Sequence, residues 1–323
     1  MLADAARPGH ANQALGTAEA LGLPFAVKEL RWGPLAKLPN ALLGATLAGL
    51  DDFSTASLAP PWPQLVIGAG RRTAPAARWI GRRCGCRCVQ LMWPGSATGL
   101  DLVIVPAHDG TAGRPKVAVV TAAPHRLTPE RLADAAVRLR PRLADLPRPR
   151  LGCLVGGSRP GASFGPAQAQ ALAETASRLA LAAGGSVLML TSRRTGAEAE
   201  GVLSAGLAAP HRFHAFTGDD ADLHAGIIGT ADALLATADS ASLLSEACAA
   251  GRPVRLFRAP GWRLGKLERL HATLAPWLRP VDSPLVAESL PRLDSAGEAA
   301  RLIRPLLAFA GPHPYVPPRR SMA

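Results

Sequence analysis

A regular alternation of short apolar runs with amphipathic stretches constrains this chain more than any other feature. In the first half, strands are predicted at 25–29, 64–67, 87–91, 102–105 and 116–120, and helices at 12–21, 35–50, 73–83 and 129–143. A proline- and arginine-rich joint, Leu146-Pro-Arg-Pro-Arg150, interrupts the pattern. It restarts with strands at 151–155, 186–190, 211–215, 233–237 and 254–257, and helices at 166–183, 195–205 and 219–229. Strands that alternate with helices build parallel sheets covered by those helices. The pattern therefore predicts an α/β protein with two doubly wound, Rossmann-like domains facing across a cleft. The expected limits are 1–146 and 151–292. Residues 293–323 then form a helix at 296–310 that packs back on the first domain, and a tail at 311–323 that is extended or disordered. A chain of 323 residues is long for one core and suits two. Leu2-Ala-Asp-Ala-Ala6 is short and weakly apolar for an opening strand, so the first domain is expected to lack one or to start upstream of Met1.

Ligands in such folds sit at the carboxyl ends of the strands, and four of those ends carry unusual chemistry. Gly68-Ala-Gly-Arg-Arg-Thr73 follows a strand and opens a helix, with glycines that permit close approach and Arg71 and Arg72 that supply charge. Gly156-Gly157-Ser158-Arg159 and Thr191-Ser-Arg193-Arg-Thr195 repeat the idea in the second half. The fourth is the turn carrying Asp239, Ser240 and Ser242, which opens a helix expected to start near Ser242 and bearing Glu246 one turn in. Small hydroxyl residues at a helix start leave backbone N–H groups free to meet an anion, typically a phosphate. Taken singly, glycine after a strand is ordinary turn chemistry. Together the four turns point to a phosphate-bearing ligand, although none is a Walker loop and none has the Gly-x-Gly-x-x-Gly fingerprint.

Lys and Arg number 36 against 24 Asp and Glu, a formal net charge of +12. That excess permits contact with phosphates, anionic lipid or nucleic acid and selects none of them. Aromatic residues make up 4% of the chain, which argues against a base-stacking nucleic-acid surface. No apolar run approaches the roughly 20 residues that span a bilayer, and the N-terminus lacks a signal-peptide layout. The chain is expected in the cytosol, with peripheral contact on a membrane face left open. Five cysteines supply no secreted disulfide framework. Cys84, Cys86 and Cys88 invite a metal reading, but alternate strand residues point to opposite faces and no histidine lies near, so no metal site is expected.

The same residues carry a resemblance. Gly9-His-Ala-Asn-Gln13, Gly68-Ala-Gly-Arg-Arg-Thr73, Val89-Gln-Leu-Met92, Asp101-Leu-Val-Ile-Val-Pro-Ala-His-Asp109, Val155-Gly-Gly-Ser158, Ser192-Arg-Arg-Thr195 and Thr237-Ala-Asp-Ser-Ala-Ser-Leu-Leu-Ser-Glu246 occur in this order. The series resembles the bacterial relatives of the plant ELM mitochondrial-fission proteins across nearly the whole chain. Those proteins are sometimes labelled nucleoside-diphosphate-sugar epimerases and are similar to GT-B glycosyltransferases. The N-acetylglucosaminyltransferase of peptidoglycan lipid assembly has a comparable Gly-His loop and a comparable Ser-Glu helix.

The resemblance implies roles. Glu246 would hold the donor ribose, with Ser240, Ser242 and the Gly156, Gly157, Ser158 turn at the diphosphate and Arg193 neutralising its charge in a fold that needs no metal or other cofactor. His10 would be the general base on the acceptor hydroxyl, since an imidazole suits proton transfer near neutrality. His108 and Asp109 form a second candidate pair. The acceptor would be anionic or lipid-linked, drawn by Arg71 and Arg72. Three classes stay open: a glycosyltransferase using a nucleoside-diphosphate sugar, favoured here; a non-catalytic adaptor recruiting a partner to a membrane; and a sugar-nucleotide epimerase. The last fits least, because the one tyrosine, Tyr315, stands outside any Tyr-x-x-x-Lys pairing, although epimerases of the two-domain GT-B type need no such tyrosine.

Overall fold

The structure, a computed structural model, describes residues 1–308 apart from 219 and 287. The chain divides into two units. One comprises Met1–Arg126 and the chain from Ser295 onward, and the other comprises Leu127–Asp294.

In the first unit β1 (Leu2–Asp4) runs parallel to β2 (Lys28–Leu30). The opening strand is therefore present, contrary to the expectation for residues 2–6. Three residues suffice because all are buried and Asp4 adds side-chain bonds, accepting from Ala6 N at 3.0 Å and Trp32 Nε1 at 2.7 Å. Helix α1 (Pro8–Leu21) starts earlier than expected, with Pro8 in its first turn, where a missing N–H costs nothing. His10 thus belongs to the helix rather than to a loop before it. The helix expected at 35–50 is broken into a 3-10 turn (Pro34–Lys37) and the single turn α2 (Asn40–Leu43), with α3 (Asp52–Ser57) after it. Pro39 and Gly44, at φ +59°, interrupt the hydrogen-bond ladder there.

Then follow β3 (Leu65–Ala69), α4 (Ala74–Cys84), β4 (Arg87–Leu91), β5 (Leu102–Pro106) and β6 (Val117–Val120). The four strands form one parallel sheet in chain order, with β1 packed beside β3. Neighbouring strand residues face opposite layers. Val66, Cys88 and Val103 join a core with Ile80 of α4, while Ile67, Val89 and Ile104 join one with Ala14 and Ala18 of α1.

The second unit opens with α5 (Pro129–Leu139), which tightens into a 3-10 turn at Arg140–Leu143 where Pro141 cannot donate. Next come β7 (Arg150–Leu154), α6 (Pro166–Ala182), β8 (Ser186–Leu190), α7 (Ala197–Gly206), β9 (His211–His214) and α8 (Ala221–Thr230). After these come β10 (Ala233–Thr237), α9 (Ala241–Cys248), β11 (Val254–Phe257), α10 (Lys266–Thr273) and β12 (Leu278–Arg279). All six strands are parallel, in the order β12-β11-β10-β7-β8-β9.

The division falls between Arg126 and Leu127, ahead of the Leu146–Arg150 joint, because α5 packs on α8. Two glycines of α8 make that packing close. A Cβ on Gly229 would meet the Leu132 carbonyl oxygen at 2.3 Å, and one on Gly226 would meet the Leu139 side chain at 3.1 Å. The last described helix, α11 (Ser295–Ala308), returns to the first unit and packs on α1. Its Glu298 accepts from Thr121 N at 2.6 Å and from Thr121 Oγ1 at 2.8 Å. The tail at 311–323 lies outside the described residues.

Candidate functional site

In the second unit the strand order reverses between β7 and β10, and α/β proteins open a crevice at the carboxyl ends of such strands. The turn Gly156-Gly157-Ser158 follows β7, and Ala238-Asp239-Ser240 follows β10. The structure brings them together tightly. Gly156 N donates to Thr237 Oγ1 at 2.8 Å, Gly157 N to Asp239 Oδ2 at 3.1 Å, and Ser158 N to the Arg194 carbonyl at 3.1 Å. All three backbone donors expected to meet a phosphate are thus used inside the protein. The Ser158 hydroxyl is likewise engaged, accepting from Phe164 N at 2.9 Å.

The turn after β8 completes the closure. Ser192 Oγ and Thr195 Oγ1 both donate to the Gly156 carbonyl at 2.6 Å, and Arg194 forms an ion pair with Asp239 at 2.7 Å. The Asp239 side chain is fully buried. A Cβ on Gly156 would lie 2.3 Å from both Asp239 carboxylate oxygens, and one on Gly157 would lie 2.0 Å from the Arg194 carbonyl oxygen. Glycine is required here so that the chain can approach itself. Arg193, singled out from sequence, is exposed, whereas its neighbour Arg194 turns onto Asp239.

Helix α9 begins one residue before Ser242. Ser240 is its N-cap, accepting from Leu243 N at 3.4 Å, and Ser242 is half-buried in its first turn. Further along, Glu246 Oε2 lies 3.0 Å from His224 Nε2 of α8, each side chain about one-fifth exposed. His224 was not singled out from sequence. On α8 it stands between the apolar Leu223 and Ala225, and only its contact with Glu246 of α9 reveals its partner. Behind the turn, His271 Nε2 donates to the Ala238 carbonyl at 3.1 Å, and burial lowers the pKa of this imidazole.

In the first unit, His10 and the Gly68–Thr73 turn are brought together. Gly70 has φ +78°, and a Cβ there would meet His10 Nδ1 at 2.3 Å, so the imidazole rests on a bare backbone at the end of β3. Gln90 of β4 fixes that turn from below, its Nε2 donating to the Gly70 carbonyl at 2.6 Å and to Thr73 Oγ1 at 2.9 Å. Arg71 does not reach out to an acceptor. Its guanidinium donates to the Ala36 carbonyl at 2.9 Å and the Leu38 carbonyl at 2.5 Å, holding the broken segment between β2 and α3. Arg72 lies over the Trp32 ring, 5.9 Å from its centroid. His108 is buried at 3% exposure in a 3-10 turn after β5, its Nε2 3.9 Å from Asp109 Oδ1, beyond hydrogen-bond reach.

Two of the three thiols at 84–88, those of Cys84 and Cys86, stay protonated at neutral pH. Burial pushes Cys84 up to about 12, and a hydrogen bond with Cys88, then burial, raises Cys86. The thiolate is the form that binds metal. Among the described residues no three His, Cys, Asp or Glu side chains are grouped to hold a metal ion. No helix among them is long and apolar enough to cross a membrane.

Solved structures share this architecture. UDP-GlcNAc 2-epimerase from Neisseria meningitidis, bound to UDP-GlcNAc, matches with a TM-score of 0.52 at 13% identity, over 95% of this chain and 98% of that one. UDP-GlcNAc 2-epimerase from Methanocaldococcus jannaschii matches with a TM-score of 0.55 at 12% identity, over the same shares. The fold is thus the GT-B type, two Rossmann-like units in one chain, shared with enzymes that handle nucleotide sugars. Within that class, the family model for mitochondrial fission ELM1 matches residues 8–307, and the chain belongs to this family. Mitochondrial fission protein ELM1 of Arabidopsis thaliana is 27% identical over 300 residues, covering 84% of this chain and 70% of that protein.

Proposed function

We propose that the second unit binds a nucleoside-diphosphate sugar and that the chain acts as a GT-B-type glycosyltransferase. The observation that carries this reading is Glu246, a partly exposed carboxylate steadied by His224 at 3.0 Å and set one turn behind the start of α9 at the strand-order reversal. A carboxylate there accepts from the two ribose hydroxyls. The first turn of α9, with Ser240 and Ser242, meets the diphosphate through its N–H groups. The exposed Arg193 supplies charge for the leaving diphosphate. Gly156, Gly157 and Ser158 serve by letting Asp239 and Arg194 brace the turn rather than by touching phosphate. Likeness to the Neisseria meningitidis structure bound to UDP-GlcNAc supports the ligand class.

On the first unit, His10 is the assigned base and His108 with Asp109 the lesser choice, since His108 is buried. In the transfer, the acceptor oxygen bonds to the anomeric carbon, the bond to the diphosphate oxygen breaks, and the acceptor proton goes to the neutral imidazole. The anionic or lipid-linked acceptor is part of the proposal, as is a cytosolic setting with peripheral membrane contact.

Calorimetry with a panel of nucleoside diphosphates and their sugars tests the donor site. Glu246→Ala is expected to weaken binding by about 1–3 kcal/mol, the loss of a charge-assisted hydrogen bond; equal affinity removes Glu246 from the site. His10→Ala is expected to lower turnover about 100-fold with donor binding unchanged.

A second reading, a non-catalytic adaptor that kept the fold, is favoured by the Asp239 carboxylate inside the Gly156–Ser158 turn. Wild-type protein that binds no nucleotide sugar, and turns none over with a broad acceptor mixture, decides for the adaptor. Release of free sugar epimer without an acceptor decides for an epimerase.

A further inference from the structure

The first unit contains a cavity of about 360 Å³ at the amino ends of β1, β2 and β3, the opposite end of the sheet from His10 and the Gly68–Thr73 turn. That volume falls within the range of small-molecule pockets, about 300–1,000 Å³. Its floor is core: Leu21, Leu58, Val66 and Ile80 are each less than 7% exposed. Its mouth is equally apolar but open. The segment Gly22-Leu-Pro-Phe-Ala-Val27 is exposed at every residue, with Leu23 48% and Phe25 43% accessible. Facing it, Ala59, Pro60, Pro61 and Pro63 are exposed around a half-buried Trp62.

Contiguous exposed apolar surface joined to an apolar cavity marks a place where something apolar binds. The charge at the rim narrows what it is. Lys28 lines the cavity, and its long stem can lie along apolar surface with the ammonium at the mouth. Arg304 of α11 donates to the Ala20 and Leu21 carbonyls, and Leu21 lines the cavity. The neighbouring Glu29 alternates to the other side of β2 from Lys28.

We propose that this cavity binds one hydrocarbon chain of an anionic amphiphile, with the chain against Leu58, Val66 and Ile80 and the anionic head at Lys28. The site is independent of the nucleotide-sugar reading, because it lies at the other end of the sheet and uses none of the residues assigned there.

Titration calorimetry of the full chain with octanoate, dodecanoate, hexadecanoate and dodecanol tests it, alongside sedimentation with phosphatidylglycerol and phosphatidylcholine vesicles. One dodecanoate per chain is expected, bound more tightly than dodecanol. Lys28→Gln should reduce that preference about threefold, the size of one partly exposed charge contact. Ile80→Trp fills the floor and should abolish uptake. Should that variant fail to fold, Phe25→Asp at the exposed mouth should weaken dodecanoate while leaving the melting temperature unchanged. Uptake of free dodecanoate identifies a free carboxylate as sufficient ligand, and release of dodecanoate by anionic but not zwitterionic vesicles extends the site to a membrane lipid. The proposal is overturned if dodecanoate does not bind, if dodecanol binds equally well, or if the protein binds vesicles while Ile80→Trp changes nothing.

Discussion

The two glycine turns look alike in sequence and do different work in the fold. After β3, Gly70 takes a left-handed φ and lets a side chain, His10, lie against the backbone. After β7, Gly156 and Gly157 let a buried carboxylate and another stretch of backbone lie there instead. The first turn gives a titratable ring a fixed seat and keeps it half-exposed. The second consumes its own donors and is closed by the Arg194–Asp239 pair. A glycine-rich strand end therefore signals close approach, while what approaches is decided by tertiary structure.

The comparison can be broken most severely at Gly157. A Cβ there meets backbone, which cannot swing aside, so Gly157→Ala should cost about 3 kcal/mol or more in urea unfolding. A loss below about 1 kcal/mol would show that the second turn is as yielding as the first. Asp239→Asn should come next, at about 2–3 kcal/mol, because it removes the charge that pairs with Arg194 and accepts from Gly157 N. Gly70→Ala should cost less, about 1–2 kcal/mol, since the strain is chiefly the left-handed φ and the imidazole can rotate away. Its clearer mark would be a changed His10 titration by NMR; an unchanged one would mean the ring is not seated on Gly70.

The smallest effect is a pH dependence in the turn after β10, whose Asp239 closes the second glycine turn and whose Ala238 carbonyl accepts from His271. Burial lowers the His271 pKa, so His271 is neutral in the fold and its stabilising share is present above the ordinary histidine value of about 6.5. That share is lost as pH falls below this value, because the unfolded chain then takes up the proton more readily. Thermal unfolding midpoints should decline as pH falls below about 6.5, and His271→Gln should flatten the decline. Acid loss of the carboxylates whose pKa is lowered by arginine partners, Asp145, Asp222 and Glu288, belongs to a separate window below about pH 4.

Much of the architecture was legible because β8 and β10 are apolar runs, β8 and β11 are entered directly from Gly185 and Pro253, and all three are largely buried parallel strands. The irregular segment at 35–50 was less so. Its apolar residues look helical, but Pro39 and Gly44 break it and Arg71, distant in sequence, holds the carbonyls that result. The unit boundary was misplaced because composition changes at the 146–150 joint while packing changes earlier, where α5 meets the glycines of α8. At the candidate site, Glu246 and Ser240 could be picked out by their place at a helix start. Whether Arg193 or Arg194 turns inward depends on where Asp239 sits, and no spacing rule separates adjacent arginines. His224 is invisible for the same reason, since its partner lies on another helix.

The return of α11 to α1 has a consequence for synthesis. Everything the second unit needs has been made once Asp294 is in place, whereas the first unit still lacks Glu298, which binds Thr121, and Ile303, which joins the core beside Ala14 and Ala18. A chain emerging amino end first therefore completes its later unit before its earlier one, the reverse of the usual order for successive domains. Nascent chains stalled just after Asp294 should resist protease across 127–294 and be cut within 1–126. Equal protection of both would show that the first unit closes without its last helix.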